Sequence, residues 1–374
     1  MDGALPRVIV DLEKLRVIHC GLGRFCLFLA EALLREAPGR FVPVLFLRPE
    51  DRIHLPDVPV ETLTVRRWRK EGCQRWLRPV VRPFLPPPGP SVWHVTSQMA
   101  RYLPLDPRIP VLLTIHDLSF LHEPSFDDRR RDRELARVQR RVDRAGVIVT
   151  PSRYVAGEVG DRLRLGDRPI HVVPQGLAPA VAASPTRPPF LPAGPFLLTV
   201  GNLLPHKNVH VLLDLLPHLP DHRLVIAGAS DTDYGRFVAA ETVRLGLEER
   251  VVLTGIVCDA DRQWLYEHCD AFLFPSLAEG FGFPVLEALH GGRPVVLTRR
   301  TSLPEVAGDH AFACDSFTGR EWAAAVTAAR EAYRGDPGRA ERARAHATGF
   351  NWEATARGYV RLYLDLAAGA RRRE

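Results

Sequence analysis

The sequence contains very little lysine. Of its 50 basic residues only Lys14, Lys70 and Lys207 are lysines, so arginine supplies the other 47. The skew, together with 33 prolines, is typical of a GC-rich coding sequence. A lysine that is retained in such an arginine-rich chain is therefore a candidate functional residue.

Cysteine and long apolar runs are also scarce. The six cysteines show no C-x-x-C spacing, which argues against a structural zinc site, a thioredoxin-like pair and a disulfide scaffold. No apolar run approaches the roughly 20 residues of a membrane-spanning helix. The first residues lack the basic-then-apolar pattern of a signal peptide. We therefore expect a cytoplasmic protein without a metal site.

The remaining composition is that of a globular protein. Its 374 residues are 46% hydrophobic and 25% charged, and this length suggests two domains. The net charge of +6 suits an anionic partner, which leaves a nucleotide, a nucleic acid and a membrane surface open.

Short apolar runs alternate with helical patterns, which predicts an α/β fold with parallel sheets. The predicted strands are Arg7–Leu12, Val42–Leu47, Val92–Val95, Pro110–Ile115, Val147–Thr150, Ile170–Val173, Phe196–Val200, His222–Ala227, Val251–Thr254, Ala271–Phe274 and Pro294–Leu297. Helices are predicted at Arg24–Arg35, Val209–Leu216, Tyr234–Leu245, Asp261–Glu267 and Pro284–Leu289. Residues 178–196 are rich in proline and alanine without any period and predict a linker between two doubly wound domains.

One segment, FLFPSLAEGFGFPVLEALHGG from Phe272 to Gly292, carries two carboxylates on different predicted elements. Glu279 falls in a glycine-rich loop, and Glu287 falls about one turn into the helix that Pro284 begins. Gly280 and Gly282 allow a ligand to approach the backbone, and the N–H groups at the start of the helix attract anions. An ordinary loop with an acidic helix start is the alternative interpretation.

Lys207 lies between a predicted strand and a predicted helix. A lysine at this place can bind a diphosphate together with the N–H groups of the helix, although a solvated lysine at a helix start is the alternative. His116 follows an apolar strand, and in doubly wound sheets ligands bind at the carboxyl ends of strands. The turn before the first helix reads GLGRF, so Gly23 is a further candidate, but neither a G-x-G-x-x-G fingerprint nor a P-loop is present.

The spacing of Glu279 and Glu287 resembles the E-x7-E signature of the retaining family 4 glycosyltransferases, which have the GT-B fold. The resemblance covers most of the chain, and its motifs follow the order of that family. The matching segments are GLGRF (21–25), TIHDLSF (114–120) with Pro124, TPSRY (150–154), VPQG (173–176), VGNLLPHKN (200–208) and Asn351-Trp352.

The resemblance implies two Rossmann-like domains facing across a cleft: residues 1–178 on the acceptor side, residues 179–350 binding the nucleotide sugar, and a helix in 351–374 that crosses back. It also implies transfer of a sugar with retained configuration and without a required metal or other cofactor. The catalytic candidates are His116 and Glu279. The donor-binding candidates are Gly23, Asn202, Lys207, Gly280, Phe281, Gly282 and Glu287.

The matched motifs favour GDP-mannose as donor and a saccharide or lipid-linked saccharide as acceptor. The leaving phosphate is expected to accept the proton of the acceptor, because no base is evident on the attacking face. A nucleotide-sugar epimerase or a phosphorylase of the same fold, and a non-catalytic nucleotide- or lipid-surface-binding protein, remain alternatives. His206 and Asn202 stand where many members of the family have arginine, so Arg24, Arg299 or Arg300 are further candidates for phosphate binding.

Two other segments remain ambiguous. Residues 65–84 carry seven Lys or Arg against one Glu, with Trp68, Trp76 and Phe84 between them. This pattern suits either an anionic membrane surface or a solvated arginine-rich loop, and no nucleic-acid-binding module accompanies it. Ser302-Leu-Pro-Glu305 predicts a capping box, and Thr254-Gly255 is a candidate for contact with the base of the nucleotide.

Overall fold

A computed structural model of the chain describes residues 5–64, 91–104, 106–180 and 185–371. These residues form two compact units. The first unit contains the residues up to Leu118, the segment Asp128–Gly176 and the stretch that begins at Asn351. The second contains Leu177–Phe350 together with the short segment Ser119–Asp127. No sequence pattern predicts that this segment belongs to the second unit.

A parallel sheet lies at the centre of the first unit. Its described strands are β1 (Arg7–Asp11), β2 (Val42–Leu47), β3 (Glu61–Thr64), β4 (Ser91–Val95), β5 (Val111–Thr114), β6 (Val147–Thr150) and β7 (Ile170–Val172). They are arranged in the order β3-β2-β1-β4-β5-β6-β7. Ile9 of β1 pairs with Val44 on one side and with Trp93 on the other. Every residue of β5 and β6 is buried, as expected for parallel strands that are covered on both faces.

Strand β3 is the one strand of this sheet that the sequence pattern missed among the described residues. All four of its residues are exposed, so it has no apolar run to reveal it. Before its last segment, the described part of the unit has the helices α1 (Gly21–Glu36), α2 (Asp128–Val142) and α3 (Arg153–Arg162), with 3-10 turns at Glu13–Val17 and Pro49–His54. Helix α1 starts three residues earlier than predicted because the Cys20 thiol accepts the Gly23 N–H at 3.4 Å and caps the helix.

The second unit repeats the architecture. Its described strands are β8 (Phe196–Val200), β9 (Arg223–Ala227), β10 (Val251–Gly255), β11 (Ala271–Phe274), β12 (Val295–Leu297) and β13 (Phe312–Ala313), in the order β10-β9-β8-β11-β12-β13. Its helices are α4 (Asp233–Arg244), α5 (Asp259–His268), α6 (Phe283–His290), α7 (Leu303–Ala307), α8 (Gly319–Gly335) and α9 (Gly338–Thr348). The 3-10 segments are Ser119–Leu121, Pro205–Lys207, Val209–His218 and Gly308–His310.

Both faces of the second sheet are buried. Alternate residues along one strand belong to different core clusters: Phe272 packs in one cluster, and Ala271 and Leu273 pack in the other. The segment that the sequence predicted as a helix at Val209–Leu216 is a 3-10 segment that includes Pro217. The prediction of two doubly wound α/β domains is confirmed by the two parallel sheets.

Helix α10 (Trp352–Arg371) completes the first unit. The Tyr363 hydroxyl lies 2.7 Å from Nδ1 of the buried His94, and the Tyr359 hydroxyl lies 3.0 Å from Thr114 Oγ1. Thr114 Oγ1 in turn lies 2.8 Å from His94 Nε2, so the helix satisfies polar groups in the middle of the sheet. None of the helices within the described ranges is sufficiently long and apolar to span a bilayer.

Candidate functional site

At the carboxyl edge of the second sheet, the loops that follow β8 and β9 are in close contact. A Cβ atom at Gly228, which follows β9, would lie 2.1 Å from the carbonyl oxygen of Gly201, so this position requires glycine. The side-chain oxygen of Asn202 accepts the N–H of Ala229 at 3.3 Å. Asn202, which the sequence suggested as a donor-binding residue, therefore joins the loops that follow β8 and β9.

Lys207 and Glu279 form an ion pair at this edge. Nζ of Lys207 lies 2.5 Å from Oε1 of Glu279 and 5.3 Å from the centre of the Phe274 ring. The two charged side chains are only 17% and 12% exposed, so the pair is largely withdrawn from water. The structure thus brings together two residues that the sequence singled out separately.

Hydroxyl groups hold the loop that carries Glu279. Ser276 Oγ donates to the carbonyl oxygens of His206 and Ala278, and Thr298 Oγ1 donates to the carbonyl oxygen of Ser276 at 2.6 Å. Both hydroxyl-bearing residues are fully buried. They were not predicted, because their partners are carbonyl groups that only the folded loop brings near.

The capping box predicted at Ser302 and Glu305 is wrong. Ser302 makes no capping hydrogen bond to helix α7. Its hydroxyl instead donates to the carbonyl oxygens of Glu279 and Phe281, at 2.9 and 3.2 Å. The local pattern was misleading because a tertiary contact with the glycine-rich loop replaces the local one.

The glycine-rich loop leads directly into α6. Gly282, with a φ of 107°, occupies the N-cap position and has no side chain that could accept from the first N–H groups of the helix. Phe281 is buried, with its ring 5.8 Å from that of Phe283 and 5.9 Å from that of Phe350. The helix begins one residue earlier than predicted, so that Pro284 is its second residue. Gly280 lies in the loop between Glu279 and this buried anchor.

Glu287 lies in α6 and faces a basic side chain of α5. Arg262 Nε lies 3.5 Å from Oε2 of Glu287, while its Nη1 lies 2.8 Å from Oδ1 of Asp259. These residues line a cleft of about 430 Å³, including its open mouth, that also borders Gln263 and His290. Arg262 was not predicted, because no sequence pattern distinguishes a basic residue one turn into α5 as a partner of Glu287.

Two of the further candidates for phosphate binding have other partners. Arg299 pairs with Asp315 at 2.7 Å, and the Arg300 guanidinium lies 5.2 Å from the centre of the Phe317 ring. Nδ1 of His206 lies 3.4 Å from a carboxylate oxygen of Glu123. Burial, and to a smaller extent the charge of Lys207, lowers the pKa of this histidine.

His116 is a buried residue of the first unit with both ring nitrogens engaged. Nε2 lies 2.8 Å from the carbonyl oxygen of Thr96 and must donate to it, and Nδ1 accepts from Gln175 Nε2 at 3.0 Å. The Phe25 ring packs edge-on at 4.5 Å. Burial lowers the pKa of His116, which favours the neutral imidazole. A role for His116 in binding the sugar stays a prediction.

Gly23 lies where the chain approaches itself in the first unit. A Cβ atom there would lie 2.2 Å from the carbonyl oxygen of Val17 and 2.8 Å from Cα of Ile18. This close approach explains why position 23 requires glycine. The contact of Gly23 with the donor stays a prediction. The basic aromatic segment 65–84 lies outside the described residues.

Asp11 is a polar residue at the edge of the first sheet that the sequence did not single out. It ends β1, is fully buried, and accepts the Glu13 N–H on Oδ1 at 2.9 Å. Burial raises the pKa of its carboxyl group to about 7. A carboxylate at the carboxyl end of an apolar strand is the signal that could have found it.

Comparison with known families and proteins supports the resemblance. Residues 19–181 match the family described as Glycosyltransferase Family 4, and residues 194–331 match the family described as Glycosyl transferases group 1. The chain therefore consists of a family 4 glycosyltransferase domain followed by a group 1 glycosyl transferase domain. Across the described residues, no group of three or more histidine, cysteine or acidic side chains is arranged to hold a metal ion.

Some of the similar proteins are named as mannosyltransferases, and others as D-inositol 3-phosphate glycosyltransferases. The O-antigen chain mannosyltransferase B of Escherichia coli is 31% identical over 219 residues, which cover 54% of this chain and 56% of the relative. The chain thus spans little more than half the length of this relative. Sucrose-phosphate synthase from Thermosynechococcus elongatus superposes with a TM-score of 0.72 at 18% identity, covering 97% of this chain and 100% of that structure. The Anabaena protein HepE, in complex with UDP and glucose, gives 0.70 at 19% identity, covering 96% and 99%. These structural similarities show the GT-B fold.

Proposed function

We propose that the protein is a retaining glycosyltransferase that moves a hexose from a nucleoside-diphosphate sugar to a saccharide or lipid-linked saccharide acceptor. GDP-mannose is the favoured donor, because the similar O-antigen protein is named as a mannosyltransferase. The observation that carries the proposal is the ion pair between Lys207 and Glu279 in front of helix α6. It unites a cation for a diphosphate with a carboxylate for the transferred sugar.

In this proposal Lys207 stabilises the leaving diphosphate. Charge grows on the leaving oxygen as the bond to the sugar breaks, and a cation fixed in advance stabilises that charge more than mobile water does. Glu279 holds the ammonium group in place before the donor arrives. The first N–H groups of α6 add a partial positive charge next to the glycine-rich loop.

The two carboxylates have different tasks in the proposal. Glu279 contacts the sugar near its reacting carbon, and Glu287 binds hydroxyl groups of the ribose. Arg262 restrains Glu287 on α6 through the 3.5 Å contact. We expect Glu279→Ala to lower kcat most and Glu287→Ala mainly to raise the KM for the donor, because a contact to the ribose is the same before and during transfer. Equal losses in both parameters for both variants would refute this division.

We further propose that the phosphate of the leaving group accepts the proton of the acceptor on the same face of the sugar, without a required metal. The reaction takes place in the cytoplasm or at the inner face of a membrane. A test is release of nucleoside diphosphate from a panel of nucleotide sugars, with and without saccharide acceptors and with a chelator. NMR then gives the anomeric configuration of the product.

The expected result is acceptor-dependent release from GDP-mannose, unaffected by the chelator, with retained configuration. An inverted product would disprove the retaining mechanism. Conversion of the donor without an acceptor would indicate an epimerase, and a requirement for inorganic phosphate would indicate a phosphorylase. Binding without release from any donor would leave a non-catalytic nucleotide-binding protein.

A further inference from the structure

Two non-glycine residues in the described ranges have a left-handed backbone, and both adjoin the ion pair of the second unit. Asn208, with a φ of 55°, directly follows Lys207, and Thr301, with a φ of 54°, contacts Glu279. Asparagine tolerates this conformation, whereas a β-branched residue such as threonine is strained in it. Strain of this kind persists where the surrounding structure imposes it, and it concentrates at functional sites.

Thr301 and its neighbour hold both backbone polar groups of Glu279. The Glu279 N–H donates to Thr301 Oγ1 at 3.0 Å. The Ser302 hydroxyl donates to the Glu279 carbonyl oxygen at 2.9 Å. The peptide groups on both sides of Glu279 are therefore fixed by two consecutive side chains from the loop that follows β12.

We infer that Thr301 is a positioning residue whose strained backbone presents its hydroxyl to Glu279 and thereby sets the Glu279 carboxylate against Lys207. The left-handed conformation turns the chain so that consecutive side chains, Thr301 and Ser302, both point at one residue. Glycine would adopt this backbone without strain but would supply no hydroxyl. The effect on sugar transfer rests on the proposed function; the effect on the ion pair does not.

The first test is therefore independent of any reaction. The coupling free energy between Lys207 and Glu279 is measured from urea unfolding of Lys207→Met, Glu279→Gln and the double variant. The same cycle is repeated in Thr301→Gly and Thr301→Ser backgrounds. We expect the coupling to fall by more than half with glycine and to persist with serine. Unchanged coupling with glycine would overturn the inference.

A second readout covers the case in which a variant of the cycle does not fold. Hydrogen exchange of the Glu279 amide is followed in the wild type, Thr301→Gly and Thr301→Ser. Loss of the acceptor should speed exchange of this amide in the glycine variant only, by roughly tenfold or more. Equal protection in all three proteins would show that Thr301 does not hold Glu279.

The third measurement addresses catalysis. Thr301→Gly removes the backbone strain, which stabilises the fold, but it also removes a hydrogen bond and raises the conformational entropy of the unfolded chain. Because these effects oppose each other, the Tm should stay within about 3 °C of the wild type. Its kcat for nucleoside diphosphate release should nevertheless fall by roughly tenfold or more, with little change in the donor KM. Thr301→Ser should restore most of the rate. Thr327→Ala is the matched control, because the Thr327 hydroxyl donates only within its own helix α8, to Ala323.

The outcomes separate the two claims. A weakened ion pair with full kcat in Thr301→Gly would overturn the positioning role in transfer. A weakened ion pair in a protein that releases nucleotide from no donor would refute the proposed function and leave the contact with Glu279 established.

Discussion

The carboxyl edges of the two sheets share an architecture but differ in charge. At the first edge burial raises the pKa of Asp11 to about 7 and lowers the pKa of His116, so it favours the neutral form of both groups. At the second edge the acidic residues pair with cations, as Glu279 does with Lys207 and Glu287 with Arg262. The two parallel sheets thus place their titratable groups in different electrostatic surroundings at their carboxyl edges.

The largest expected effect is on the first edge and depends on pH. The folded state keeps the Asp11 proton up to about pH 7, whereas an unfolded chain releases it near pH 4. The unfolded state then binds fewer protons, so the free energy of unfolding should fall as the pH rises from about 4 to about 7, by roughly 4 kcal/mol.

Asp11→Asn isolates this contribution. The depressed pKa of His94 acts in the opposite direction as the pH falls below about 6.5, so the difference between variant and wild type is the informative quantity. Urea unfolding between pH 4 and 8 should show the asparagine variant gaining on the wild type with rising pH. Parallel curves would mean that Asp11 is ionised in the folded protein.

A smaller effect should appear at the second edge and depend on the ligand. Lys207→Ala should weaken nucleoside diphosphate binding by roughly 1.5–3 kcal/mol, because a charge-assisted contact to the phosphates is lost. Calorimetry with GDP and UDP gives the affinities. Lys14→Ala is the control, since it removes a lysine from the first unit, and it should leave both affinities unchanged. Comparable losses in both variants would remove the distinction between the edges.

The smallest effect concerns the backbone contact at Gly23. Gly23→Ala should destabilise the fold by roughly 1–3 kcal/mol, because the added Cβ meets backbone atoms of Val17 and Ile18 that cannot move aside. Gly157→Ala, in α3, has open space and should stabilise by roughly 0.5–1 kcal/mol. Thermal unfolding distinguishes the two. Loss of nucleoside diphosphate affinity in folded Gly23→Ala would give this glycine the donor contact that the sequence predicts.

The sequence predicted those features that depend on the spacing of residues close together in the chain. The two glutamates eight positions apart and a lysine after a strand could be read directly, and so could the strands that contain apolar runs. The contacts that orient these residues could not. Thr301 meets Glu279 across 22 positions, Arg262 meets Glu287 across 25, and the left-handed backbone of Thr301 has no signature in a residue type that normally avoids it. Ser302 shows that a local pattern can mislead. Its sequence matches a capping box completely, but its hydroxyl donates to the carbonyl oxygen of Glu279 instead.

The tyrosines of α10 have a consequence for synthesis on the ribosome. His94 lies in a strand made early in translation, but the hydroxyl that meets its Nδ1 belongs to Tyr363, which is made only after the entire second unit. Until then the His94 imidazole of the nascent first unit lacks this partner, and the sheet lacks the cover that α10 supplies. The second unit ends at Phe350, and because domains generally fold as units, its folding does not need α10. The half of the protein that is translated first is thus the half that is finished last.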